Sequence, residues 1–111
     1  MGQRKPDSLQ GTIDLLVLKV LLRRGPLHGY GITTHLETIS DNALRVEEGS
    51  LYPALHRMEE AGWVEADWVV TDKKRRARMY RLTESGRKQL EAEEQRWKEL
   101  SEAVASVLKF A

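Results

Sequence analysis

The hydrophobic period of this sequence changes twice, and that pattern restricts the fold more than any other feature. Up to Gly62 apolar residues recur at helical spacing, between Val64 and Leu82 they alternate, and after Thr83 the helical spacing returns. Helices, one β-hairpin and a closing helix follow in that order. With 111 residues there is room for a single domain.

From Leu9, the positions Ile13, Leu16, Val17, Val20 and Leu21 trace one helical stripe, widened by Leu15, Leu18 and Leu22. This predicts a deeply buried first helix, preceded by a polar arm over residues 1–8. Arg23 and Arg24 suit its carbonyl end, and Gly25-Pro26 stops it. A second helix is expected over Gly29 to Ile39, with Ile32, Leu36 and Ile39 inward, followed by a Ser40-Asp41-Asn42 turn. The third runs from about Glu48 to Ala61, with Leu51, Leu55 and Met58 inward and Gly62 as the residue that closes it; either Ser50 or Glu47 caps it. Pro53 is expected in or near the first turn, because deeper in the helix a proline costs about 3 kcal/mol.

In the alternating stretch, Val64, Ala66, Trp68 and Val70 share one face of a half-buried strand. Thr71 to Arg75 form a polar, basic turn, and Arg76 to Leu82 return as a second strand with Tyr80 and Leu82 toward the core. Thr83 then caps a helix over Glu84 to about Lys109, roughly 40 Å long at 1.5 Å per residue. Leu90, Trp97 and Val104, with Leu100 and Val107, repeat by sevens with Leu108 beside them, and Glu93 interrupts the seam. A stripe of this kind needs a partner, so a homodimer through residues 84–111 is expected.

Charge sharpens the reading. The formal net charge is only +1, yet residues 73–81 hold six basic and no acidic side chains, while residues 1–72 hold seven basic and eleven acidic ones. Such a block on a mildly acidic body is the electrostatic footprint of a nucleic-acid binder. Three helices followed by a basic hairpin form the winged-helix variant of the helix-turn-helix, here over residues 9–83. Its third helix enters the major groove of duplex DNA and its wing touches the backbone or the minor groove. Ser50, Tyr52, Pro53, His56 and Arg57 are the candidate readers on that helix. Lys73, Lys74, Arg75, Arg76 and Arg78 are the candidate phosphate contacts, and Tyr30 marks an amino-terminal helix end suited to phosphate.

Other chemistries lack their residues. The chain has no cysteine, which excludes disulfides, thiolate metal sites and a cysteine nucleophile and agrees with a reducing cytoplasm. Ser50 and His56 lie about 240° apart around a helix and cannot form a nucleophile pair. His56 and Glu60 find no third metal ligand, and Gly29-Tyr30-Gly31 lacks the third glycine of a dinucleotide loop. No enzyme activity, cofactor or metal is therefore expected. The longest apolar run is too short for a membrane span.

The segments Leu27-His28-Gly29-Tyr30-Gly31-Ile32, Glu48-Gly49-Ser50-Leu51-Tyr52-Pro53-Ala54-Leu55-His56-Arg57-Met58-Glu59 and Arg75 to Arg87 together resemble the signature of PadR-type transcriptional regulators. The likeness spans roughly residues 9–108, and one departure is Met79 before Tyr80, where members commonly carry two aromatic residues. The resemblance implies a dimeric, ligand-responsive winged-helix repressor with a single carboxy-terminal dimerisation helix. Trp97 is large for a seam position: either two facing indoles open a flat apolar gap for a planar aromatic effector, with Glu93, Glu94 or Lys98 at its polar edges, or Trp97 packs against the partner's first helix as plain interface core. The competing class is a protein-interaction module in which the basic wing is incidental.

Overall fold

The computed structural model describes residues 7–111, with side chains from Thr12 onward. Helix α1 (Asp7–Arg24) is the central element, because its wide apolar stripe meets α2 (Gly29–Ile39), α3 (Glu48–Glu60), β2 (Arg76–Leu82) and α4 (Glu84–Phe110). Val17, Leu18, Val20 and Leu21 of α1 are buried against Ile32 and Leu36 of α2 and against Leu51, Ala54, Leu55 and Met58 of α3. A fully buried side chain of this kind contributes roughly 1.5–3 kcal/mol. The mainly α architecture with one hairpin stands as the sequence predicts. The expected arm over residues 1–8 lies, for residues 1–6, outside the described residues, while residues 7 and 8 already belong to α1.

Local punctuation acts where the sequence places it. Gly25 ends α1 with φ of 83°, and its amide donates to the Leu21 carbonyl at 3.0 Å. Asp41 and Asn42 make the next turn in the left-handed region. Gly62, with φ of 84°, closes α3; its amide donates to Glu59 O at 3.0 Å and that of Trp63 to Met58 O at 2.9 Å. Glu47 precedes α3 without a side-chain cap. Pro53 is the sixth residue of α3, just past the first turn, so the Gly49 carbonyl lacks its helical donor. Ile39 also departs from expectation: it is exposed, because Leu36 is the last residue of α2 over the core.

Strand β1 (Val64–Val70) pairs antiparallel with β2 from Val64↔Leu82 to Val70↔Arg76. A single residue adds a third rung that the hydrophobic pattern does not reveal. The amide of Leu27 donates to Tyr80 O at 3.1 Å and that of Tyr80 to Leu27 O at 2.8 Å, tying the hairpin to the loop before α2. Only the proximal half of the hairpin is covered. Val64 and Tyr80 are buried, but Trp68 is 57% and Val70 71% exposed, so the expectation of a half-buried strand fails beyond Ala66. The distal half projects past the helices as a wing.

Helix α4 starts at Thr83, whose hydroxyl donates to the Gly62 carbonyl at 2.7 Å and accepts from the Gly86 amide at 3.0 Å. Gly86 is required there, since a Cβ would run into the Trp63 carbonyl. Up to Glu94 the helix packs on α1, with an ion pair from Lys19 to Glu94 at 2.8 Å. Beyond that point it leaves the body, which extends the molecule to 57 Å along its longest axis. No described helix is long and apolar enough to cross a membrane.

Candidate nucleic-acid interface

Burying Leu51, Ala54, Leu55 and Met58 turns the opposite face of α3 outward, and Ser50, Tyr52, Pro53 and His56 stand exposed on it. Of the residues expected to read bases, Arg57 is oriented differently. Its Nη2 and Nη1 donate to Asp14 Oδ1 of α1 at 2.9 and 3.3 Å, which holds the guanidinium against the body rather than outward. The pull comes from a nearly buried carboxylate. Burial pushes the Asp14 carboxyl from its ordinary 3.8 up to about 6, with the Arg57 charge opposing and Glu93 reinforcing. His56 faces Glu60 at 3.3 Å on the exposed surface, and among the described residues no cluster of three metal-ligating side chains occurs.

The wing brings Lys73, Lys74, Arg75 and Arg76 to its tip, where none has an ion-pair partner among the described residues. The tip is a tight turn. The Thr71 amide donates to Arg75 O and the Lys74 amide to Thr71 O, each at 2.8 Å, with Lys74 at φ of 58°. Arg78 differs from its neighbours. It pairs with Glu59 of α3 at 2.9 Å and lies over the Tyr80 ring, so it braces the wing on α3 instead of presenting a free charge. Arg81, on the other face of the hairpin, is neutralised by Glu65 at 2.6 Å and by Asp67.

Between the wing and the amino ends of α2 and α3 runs an open groove of about 820 Å³. Tyr30, Tyr52 and Trp68 line it together with Lys73, Arg75, Arg76 and Arg78. Tyr52 crosses the start of α2 so closely that a Cβ on Gly29 would collide with its ring, which explains why glycine stands there. His28 caps the same end: its Nδ1 accepts from the Gly31 amide at 3.1 Å. Tyr30 is exposed beside it, its ring stacked 6.4 Å from His28. The sequence reading missed Trp68, which alternation alone assigned to packing, and Asp14, whose signal was an acid at an inward position of an apolar stripe.

A second surface lies on α4. Trp97, Leu100, Val104, Val107, Leu108 and Phe110 are exposed along its outer length. Leu90 is not part of that surface. At 2% exposure it belongs to the chain's own core, because α4 is still packed on α1 at that level. Glu93 is likewise turned inward, where it accepts from Gln89 Nε2 at 2.8 Å and pairs with Arg96 at 3.3 Å, and Glu94 is held by Lys19. Neither carboxylate therefore stands free at the edge of a Trp97 gap, contrary to the sequence expectation; Lys98 alone of the three is exposed and unpaired among the described residues.

Comparison with known proteins agrees with this geometry. The sequence pattern of the Transcriptional regulator PadR-like family matches residues 17–92. A transcriptional regulator of Mycobacterium tuberculosis is 37% identical over 78 residues, covering 70% of this chain and 69% of that protein. The negative transcriptional regulator PadR of Bacillus subtilis is 30% identical over 70 residues, 63% of this chain and 38% of its own length. The crystal structure of a PadR family transcriptional regulator from Eggerthella lenta superposes with a TM-score of 0.76 at 30% identity, covering 94% of this chain and 88% of that one.

Proposed function

This chain belongs to the PadR-like family of transcriptional regulators, and on that basis we propose that it binds duplex DNA sequence-specifically as a homodimer, represses transcription, and is released by a small-molecule effector, planar aromatic or other, or by a similar signal. The observation that carries the reading is the wing tip: four cations without ion-pair partners among the described residues, next to an outward-facing α3. Ser50, Tyr52, Pro53 and His56 face the major groove, and Lys73, Lys74, Arg75 and Arg76 grip phosphates. Tyr30 sits where the strand passes α2. Arg57 contributes to readout after exchanging Asp14 for a base edge or a phosphate.

Dimerisation is supported by the exposed apolar stripe of α4, which a monomer would leave in water. Two such helices, each supplying Trp97, Leu100, Val104, Val107 and Leu108, bury the stripe against each other, and two facing Trp97 rings frame the effector gap beside Lys98. Repression is supported by the function named for the Bacillus subtilis relative, a negative regulator.

Titrating a random-sequence duplex against salt tests the DNA reading. With four free cations on each wing of a dimer, log K should fall against log salt with a slope of about −7, at roughly 0.9 per neutralised phosphate. Replacing Lys73, Lys74 and Arg76 with Ala should reduce that slope by about 5 and weaken all sequences alike. A flat response would assign the wing to solvent and α4 to docking of another protein.

A further inference from the structure

Trp68 is an indole left more than half in water at the wing, with no hydrogen-bond partner for its N–H among the described residues. Its surroundings are specific. Arg78 stands directly across the ladder, and the guanidinium of Arg76 lies over the ring at 4.7 Å with that of Arg78 at 5.6 Å. The same face of the hairpin looks across the groove to Tyr52 and Tyr30. Core packing does not account for it, because the ring is 57% exposed and Val70 on the same face is exposed as well.

We propose that Trp68 is a DNA-binding residue, the floor of a seat for the sugar–phosphate strand that passes between the recognition helix and the wing. The ring offers an apolar face to a deoxyribose, its N–H can donate to a phosphate oxygen, and it holds Arg76 over itself in a cation–π contact. That restraint matters because a free arginine loses rotamer freedom on binding, while a stacked one has already lost much of it. The occupant is argued from complementarity: Lys73, Arg75 and Arg76 border the groove with positive charge that has no ion-pair partner among the described residues, and the ring faces supply the apolar surface that a deoxyribose edge needs. This assignment rests on the duplex-binding reading above and adds to it a residue that brings no charge.

The test is affinity for a random duplex across a salt series, for the wild type and for Trp68→Ala and Trp68→Phe. The alanine variant should bind about tenfold more weakly at every salt concentration, about 1.4 kcal/mol, with an unchanged slope because no cation has been removed. Phenylalanine, which keeps the stacking face, should recover most of the affinity. In the wild type, duplex should alter a tryptophan emission component that Trp68→Phe lacks, a readout that does not depend on the alanine variant folding. Unchanged affinity in Trp68→Ala, or an emission response identical in Trp68→Phe, would overturn the assignment while leaving duplex binding intact. A salt-independent wild type would instead overturn the underlying reading. Tighter binding of a single strand of equal length would overturn the commitment to a duplex strand.

Discussion

Replacing Asp14 with Asn should stabilise the fold at neutral pH and leave it little changed in acid. The carboxyl is nearly buried on α1, and its value rises from 3.8 to about 6 because ionisation is disfavoured there more than Arg57 compensates. A carboxyl raised in the folded state contributes stability that is present below its unfolded value and is lost as the pH climbs through the folded one. The window is therefore pH 4 to 7. At 1.36 kcal/mol for each pH unit between the two values, the wild type loses about 3 kcal/mol across it from this group. Asparagine does not titrate, keeps an acceptor oxygen for Arg57, and gives up the ion pair. That loss is already contained in the value of about 6, which the Arg57 charge helps to hold down. Chemical denaturation at fixed protein concentration, at pH 4, 5.5 and 7, measures the gap between variant and wild type. The gap should open by about 3 kcal/mol toward pH 7. A gap independent of pH would refute the argument that burial dominates over Arg57 at this carboxyl.

Three further outcomes are expected. Changing Leu100 and Val104 to Glu should give monomers that lose operator binding, read by sedimentation; an unchanged sedimentation coefficient would remove α4 from the interface. Trp97→Ala should abolish the response to planar aromatic compounds in a DNA-release assay, and a normal response would locate the effector elsewhere. Gly86→Ala should destabilise by more than the roughly 0.5–2 kcal/mol typical of a lost helix cap, because the added methyl meets the Trp63 carbonyl; a melting temperature equal to that of the wild type would contradict the tight approach of α4 to that backbone.

What the sequence made legible was set by neighbours in the chain. Gly25 and Gly62 act through residues within a few positions of themselves, as does Thr83 in accepting from the Gly86 amide, so these roles follow from local spacing, and the basic tip of the hairpin follows from a run of six charges. Contacts between distant segments were not legible. Arg57 and Asp14 are 43 residues apart, and nothing in the period of α3 reveals that an acid from α1 faces it. Heptad spacing grouped Leu90 with Trp97 and Val104, although spacing carries no information on where a helix parts from the body; in this chain that point falls just after Glu94. Alternation assigned Trp68 and Val70 to one face correctly but wrongly implied that this face is covered, because the period of a strand does not reveal how far the body beneath it extends. Among the wing cations, the division between free and paired depends on Glu59, Glu65 and Asp67, which only the folded register brings alongside.

Selection of binding sites from a pool of random duplexes tests the central claim most directly, since it asks whether two copies of α3 read sequence at a fixed separation. The account predicts enrichment of a pseudo-palindrome whose half-sites lie about 34 Å apart, one helical turn, or a multiple of it. A pool that stays random after repeated rounds, despite salt-sensitive binding, would contradict it and reduce the protein to a non-specific DNA binder.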